Sequence, residues 1–221
     1  AVIIGCIGGA EVACASPSGC PAVAVHGVAP TPASALGLPS LTMFQRTELP
    51  AGPRVISARL PGSRSVAVAA YVLAGSRLES PAEAGVAHFM EHLTFKGTAR
   101  YPSSRAISEA VEGVGGSANA ATDRESTVYW ARVPRREAAR AIDVLGELVV
   151  RPRLTDADID QERTVIVEEI RSYLDDPAEY CQMLIQTAVF GDGPLGREIC
   201  GDEAGIRALP AAAKEGFWGA V

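Results

Sequence analysis

SANAATDRESTVYWARVPRREAARAIDVLGELVV, residues 117–150, changes its hydrophobic period at Pro134, and that change sets the fold class. From Ser126 to Val133 the side chains alternate, with Val128, Trp130 and Arg132 on one face and Tyr129, Ala131 and Val133 on the other. Trp130 and Tyr129 read as core residues. Ser117 to Ala121 is a short small-residue segment, and a turn at Asp123-Arg124 separates it from its partner strand. Proline's fixed φ suits the first turn of a helix, so Pro134 opens one. Ala138, Ala141, Ile142, Leu145, Leu148 and Val149 then recur at helical spacing and form an apolar face that packs on a sheet.

Upstream, Ser103-Ser104 caps a helix running to about Val114, where Gly115-Gly116 stops it. Downstream, Thr155-Asp156-Ala157-Asp158 reads as a helix start, and Ile159, Arg163, Ile166, Ile170 and Leu174 form its core-facing stripe. Another helix spans Ala178 to Val189, bounded by Asp175-Asp176-Pro177 and Gly191-Asp192-Gly193-Pro194. Antiparallel strands followed by runs of helices indicate an α+β fold: a two-layer α/β sandwich with a mainly antiparallel sheet packed against helices. Residues 1–42 show no period and are expected to be a low-complexity, disordered or targeting segment before a domain at 43–221.

Composition narrows the function classes. The chain has 221 residues, 48% of them hydrophobic, which is ample for a core. A net charge of -6 and the lack of a basic cluster longer than Arg135-Arg136 argue against a nucleic-acid surface. No apolar run is long enough to span a membrane. Five cysteines at irregular spacings, three of them in the N-terminal segment, do not build a disulfide framework; Cys181 and Cys200 read as reduced core thiols. That usage fits a cytoplasmic setting better than export.

The chemistry concentrates in His88-Phe89-Met90-Glu91-His92, which holds two of the three histidines. On a helix, residues three and four apart share a face, so His88, Glu91 and His92 point the same way. Two neutral imidazoles can hold one zinc ion, and the glutamate between them can take a proton from a zinc-bound water as that water attacks a carbonyl. This is the inverzincin order of residues.

A catalytic zinc takes a third protein ligand and keeps one position open. His26 lies in a stretch rich in proline, alanine and glycine, where nothing fixes its geometry. At about 100° per residue, Glu162 and Glu169 sit two turns apart on one flank of the Ile159–Ile170 stripe, while Glu168 falls opposite it. A carboxylate at the edge of a core needs a partner, and a zinc ion is one. Glu169 is therefore the expected third ligand.

These residues resemble the N-terminal catalytic domain of the pitrilysin family, which includes mitochondrial processing peptidase and insulin-degrading enzyme. The resemblance runs from Thr47-Glu48-Leu49, through a strand pair at Arg54-Val55-Ile56 and Ser65-Val66-Ala67-Val68, to Gly75-Ser76-Arg77-Leu78-Glu79. It continues over Gly85 to Thr98 and Gly115 to Thr122, and on to Glu162-Arg163 and Glu168-Glu169. It implies a zinc endopeptidase that hydrolyses peptide bonds in unfolded peptides or presequences. One zinc ion would be held by His88, His92 and Glu169, with Glu91 as general base. Glu162 would support the site from outside the ligand set or assist catalysis.

The resemblance also implies that Ser117, Asn119, Ala120 and Thr122 belong to an edge strand to which the peptide substrate adds as a further strand. From the residues alone an ordinary hairpin fits equally well. A second family domain, or a partner subunit, would close the chamber around the peptide. The chain stops at Val221, before the last strand and helix expected of the first domain, so the domain is expected to be truncated. The rival reading is a non-catalytic structural or peptide-binding subunit of the same family. Cobalt or manganese could also fill such a site.

Overall fold

The structure is a computed structural model that describes residues 2–7, 44–50 and 53–210. Six strands form one sheet: β1 (Val2–Ile7), β2 (Gln45–Glu48), β3 (Arg54–Ala58), β4 (Ser65–Val72), β5 (Ser117–Thr122) and β6 (Thr127–Pro134). Their spatial order is β2-β3-β1-β4-β6-β5, so among the described residues β5 is an edge strand. Every neighbouring pair is antiparallel except β1 with β3. The α+β expectation therefore holds, with one correction. Residues 2–7, assigned from the sequence to an unstructured segment, supply a strand between β3 and β4. The run Val-Ile-Ile-Gly-Cys-Ile is largely β-branched, and such side chains suit a pleated surface. Residues 8–43 lie outside the described residues, as do 211–221.

Among the described residues there are six α-helices: α1 (Val86–Thr94), α2 (Ser104–Glu112), α3 (Ala138–Val150), α4 (Asp156–Asp175), α5 (Pro177–Phe190) and α6 (Glu203–Ala208). None is long and apolar enough to cross a membrane. Val66, Val68, Ala70 and Val72 of β4 and Tyr129, Ala131 and Val133 of β6 point into one core, against Ala141, Val144, Leu145 and Leu148 of α3. The opposite face carries Tyr71 and Trp130, at 40% and 36% exposure. Trp130 is thus not a core residue as expected: it occupies the outward phase of β6, on the face that no described helix covers.

A second core joins α1 to α4 and positions the site. Val86, Phe89, Met90 and Leu93 pack on Ile159, Ile166, Val167 and Ile170. Leu174, expected in this stripe, is 47% exposed, while Val167 is fully buried. The contact with α1 lies over the middle of α4, so its last turn projects past the packed region. Arg163 also leaves the apolar stripe. Its guanidinium donates to the main-chain carbonyls of Ile206, Arg207 and Leu209, which satisfies the C-terminal end of α6.

The start of α1 is held by a side chain from the segment that leads into it. Glu79, 5% exposed, accepts hydrogen bonds from the backbone N–H groups of Gly85 (2.9 Å) and Ala87 (2.8 Å). These are donors that a helix N-terminus leaves without partners, and its dipole favours the carboxylate. Burial pushes the Glu79 carboxyl up to about 7, against the pull of Ala87, Gly85 and Arg197. Glu79→Gln should destabilise the chain by about 1–3 kcal/mol, because each N–H meets a different carboxylate oxygen and an amide has only one oxygen to accept, leaving the other N–H facing an NH2 donor. Urea denaturation measures this; a change under about 0.5 kcal/mol would remove Glu79 from the role of cap.

Candidate metal centre

His88, Glu91 and His92 leave one face of α1 within a turn of one another, and the two imidazole centroids stand 4.6 Å apart in an edge-to-face arrangement. Across from them, α4 presents Glu162 and Glu169. The Glu169 carboxylate faces both rings: Oε1 is 3.8 Å from His88 Nε2, and Oε2 is 3.4 Å from His92 Nε2. Glu168 is exposed and pairs with Arg171. The sequence-predicted trio of His88, His92 and Glu169 is therefore brought together at the interface of the two helices.

The surrounding side chains fix each of these groups. Glu162, 4% exposed, lies 3.1 Å from His92 Nδ1 through one oxygen and pairs with Lys96 through the other. An imidazole that donates from Nδ1 to a carboxylate keeps Nε2 free as a donor of electrons. The Tyr173 hydroxyl donates to Glu169 Oε1. Thr122, at the end of β5, donates to Glu91 Oε2, so a residue expected to contact substrate holds the expected base. Ser117, Asn119 and Ala120 lie on β5 as expected, with Ser117 and Asn119 exposed and Ala120 buried.

Burial lowers the His88 pKa to about 4, and His92 adds to that shift. The His92 hydrogen bond holds Glu169 down at about 2. Burial alone would lower His92, but its contacts with Glu169 and Glu162 outweigh it and raise the pKa. Burial raises Glu91, partly offset by the Thr122 hydroxyl. Burial also pushes the Cys200 thiol up to about 12, and Glu169 adds to this.

These groups suit a zinc ion. His88 is 8% exposed; its Nδ1 has no hydrogen-bond partner among the described residues, and its Nε2 stands beyond hydrogen-bond range of Glu169. Such an imidazole is neutral at pH 7 with a lone pair available, and two imidazole nitrogens with one carboxylate oxygen are an established zinc donor set. A cation there would replace the His92 proton as the counter-charge of Glu169.

Sequence reasoning missed Lys96, Tyr173, Glu79 and Cys200. Lys96 follows His92 by four residues and Tyr173 follows Glu169 by four, so helical spacing could have found both. Glu79 acts from a loop and leaves no periodic signal. Cys181, expected in the core, is exposed on α5, whereas Cys200 is half-buried.

The profile of the family described as insulinase, peptidase family M16, matches residues 54–203. An uncharacterized zinc protease of Streptomyces coelicolor is 41% identical over 167 residues, covering 76% of this chain and 36% of the relative. A solved protease from Helicobacter pylori is similar with a TM-score of 0.75 at 23% identity, over 79% of this chain and 42% of that one. An M16 peptidase domain of Pseudomonas fluorescens described as inactive gives a TM-score of 0.72 at 18% identity, over 79% and 42%. At those identities the two structures speak to the fold alone. The chain spans a little over a third of the length of the curated relatives it matches.

The buried His88 makes the metal-free stability pH-dependent with a definite sign. Unfolded, this imidazole takes a proton near its ordinary value of 6.5; folded, it resists down to about 4. Between those values the unfolded state binds more protons, so the His88 contribution is present above 6.5 and lost as pH falls toward 4. After chelation, the parent should lose more melting temperature between pH 7 and pH 4.5 than His88→Gln. Equal losses would show that His88 does not resist protonation.

Proposed function

The chain belongs to the insulinase family of peptidases, family M16, and on that premise we propose that it is the metal-bearing portion of a zinc-dependent endopeptidase acting on unfolded peptides or presequences. The observation that carries this reading is that His88 and His92 Nε2 face opposite oxygens of the Glu169 carboxylate, at 3.8 and 3.4 Å, beside a second carboxylate, Glu91, on the helix that bears the histidines. His88, His92 and Glu169 would hold one zinc ion. When bound, zinc supplies a Lewis acid that makes water nucleophilic near neutral pH and polarises a carbonyl.

The remaining chemistry falls to this chain's own groups. Glu91 accepts a proton from the attacking water and passes it to the departing amine; its raised pKa suits both transfers. Thr122 holds one Glu91 oxygen and so directs the other toward the reacting centre. Glu162, with Lys96 as its counter-charge, keeps the His92 tautomer whose Nε2 is unprotonated. Tyr173 fixes the rotamer of Glu169.

Strand β5 supports an extended peptide as the substrate. It is the sheet edge that ends at Thr122, beside Glu91, and its side chains are small. A peptide added there would take up backbone hydrogen bonds and pass the base. Asn119 Oδ1 accepts from Ala120 N–H at 2.9 Å, which keeps one backbone donor satisfied until a strand replaces it.

A second peptidase portion is the partner we infer. Leu184, Ile185, Val189 and Phe190 of α5 are each more than half exposed, and α5 buries none of its residues within the described structure. The chain's share of its relatives' length leaves room for such a portion.

Elemental analysis tests the site directly. The purified chain should carry near-equimolar zinc, which falls sharply in His92→Ala and Glu169→Gln. Zinc-free but folded parent protein would return the chain to a structural or binding role. In the full-length protein, Glu91→Gln should keep zinc and lower peptide cleavage by about 10²–10⁴-fold. Undiminished cleavage would take the base away from Glu91.

A further inference from the structure

Cys200 approaches the centre from the loop between α5 and α6, and that loop's backbone lies hard against the start of α1. A Cβ on Gly85 would meet the Cys200 carbonyl oxygen at 2.6 Å, and one on Gly201 would meet the Ala84 oxygen at 2.5 Å. Gly85 and Gly201 both adopt positive φ, which only glycine takes without strain. The turn is closed by Gly201 N–H donating to the Glu198 carbonyl at 3.1 Å. The thiol is therefore positioned by the same backbone that begins the His88 helix.

One ring nitrogen of His88, one carboxylate oxygen of Glu169 and Cys200 Sγ all lie within 4.8 Å of one another. Donors around one tetrahedral zinc stand roughly 3.3–3.6 Å apart, given Zn–N and Zn–S lengths of about 2.0 and 2.3 Å, so these atoms need adjust by about an ångström. The second observation is His88 itself: it is more than nine-tenths buried and turns Nε2 toward the Glu169 carboxylate at 3.8 Å, beyond hydrogen-bond range.

We propose that Cys200 is a fourth protein donor to the metal centre, a thiol that closes the coordination position left open by His88, His92 and Glu169. The proposal rests on the ligand reading given above. On coordination the S–H bond breaks, a sulfur–metal bond forms and the proton leaves to solvent, so no oxidant or reductant is needed. Two imidazoles, a carboxylate and a thiolate complete a four-coordinate resting set, and the sulfur must leave the metal and take back a proton before water can enter for hydrolysis. A sulfur donor also shifts preference toward thiophilic ions such as cadmium. A cysteine that only fills space beside Ile206 would have neither consequence.

Cobalt substitution of the full chelator-treated chain gives the test, because its spectrum separates the two readings. The parent should show weak visible d–d bands and, in the near ultraviolet, a thiolate-to-cobalt charge-transfer band. Cys200→Ser and Cys200→Ala should lose the charge-transfer band and keep the visible ones. A parent with visible bands but no charge-transfer band would overturn the Cys200 proposal and leave the three-ligand site standing. Persistence of that band in the variants would assign the sulfur elsewhere and overturn it too. A parent lacking both features would overturn the ligand reading beneath it. Competition against a chromophoric chelator adds a second readout: the parent's preference for cadmium over zinc should exceed that of Cys200→Ser by about tenfold, and equal preferences would count against the proposal. A parent spectrum without the charge-transfer band overturns the proposal even if a variant folds poorly.

Discussion

The spacing between α1 and α4 is the constraint on which the site depends. His88 and His92 come from one helix and Glu162 and Glu169 from the other, and the two meet only because Phe89 and Leu93 pack on Ile166, Val167 and Ile170. Interiors are packed tightly enough that removing even one methylene is felt, so this apolar interface sets how far apart the two helices hold their donors. The ligands occupy the rim of that interface. His88 is nearly buried while Glu169 and His92 are half-buried, which leaves one side open to a substrate and to the solvent that supplies water.

Electrostatics explains why the rim carries so many carboxylates. Glu91, Glu162 and Glu169 crowd two imidazoles, and such a group of anions beside a core is unfavourable unless positive charge balances it. Lys96 balances Glu162, and the His92 contacts balance Glu169. Glu91 has the Thr122 hydroxyl and backbone N–H and the pull of His92, and burial outweighs them to raise its pKa. The least compensated carboxylate is thus the one positioned to exchange protons, while the best compensated ones hold geometry. A cation would complete this balance by adding charge where the donors converge.

Much of this was legible in the sequence, for identifiable reasons. The change of period at Pro134 gave the hairpin and the helix behind it, because alternation and helical spacing report which faces are buried. The phase of α4 separated Glu169 from Glu168 because the Ile159–Ile170 stripe fixed the rotation of the helix. What failed depended on tertiary context. Leu174 follows the same phase, yet α4 outruns its partner there; Trp130 alternates correctly, yet no described helix covers its face. Residues 2–7 were read as unstructured because a strand flanked by irregular sequence offers too short a pattern. Glu79 and Cys200 act from loops, where spacing carries no information about direction.

The distance in sequence between the ligands has a thermodynamic consequence. His88 and His92 are local to one another in an unfolded chain, so such a chain can still offer two donors to a metal. Glu169 joins them only when the α1–α4 core has formed, and the third donor is what distinguishes folded from unfolded affinity. Metal binding therefore stabilises the fold by the difference between those affinities rather than by the whole binding energy. For a ligand with no affinity for the unfolded chain, a hundredfold excess over Kd adds about 2.7 kcal/mol; residual two-histidine binding reduces that gain. The interface that assembles the site is in turn reinforced by what the site holds, so a lesion in the α1–α4 core weakens metal binding without touching a ligand.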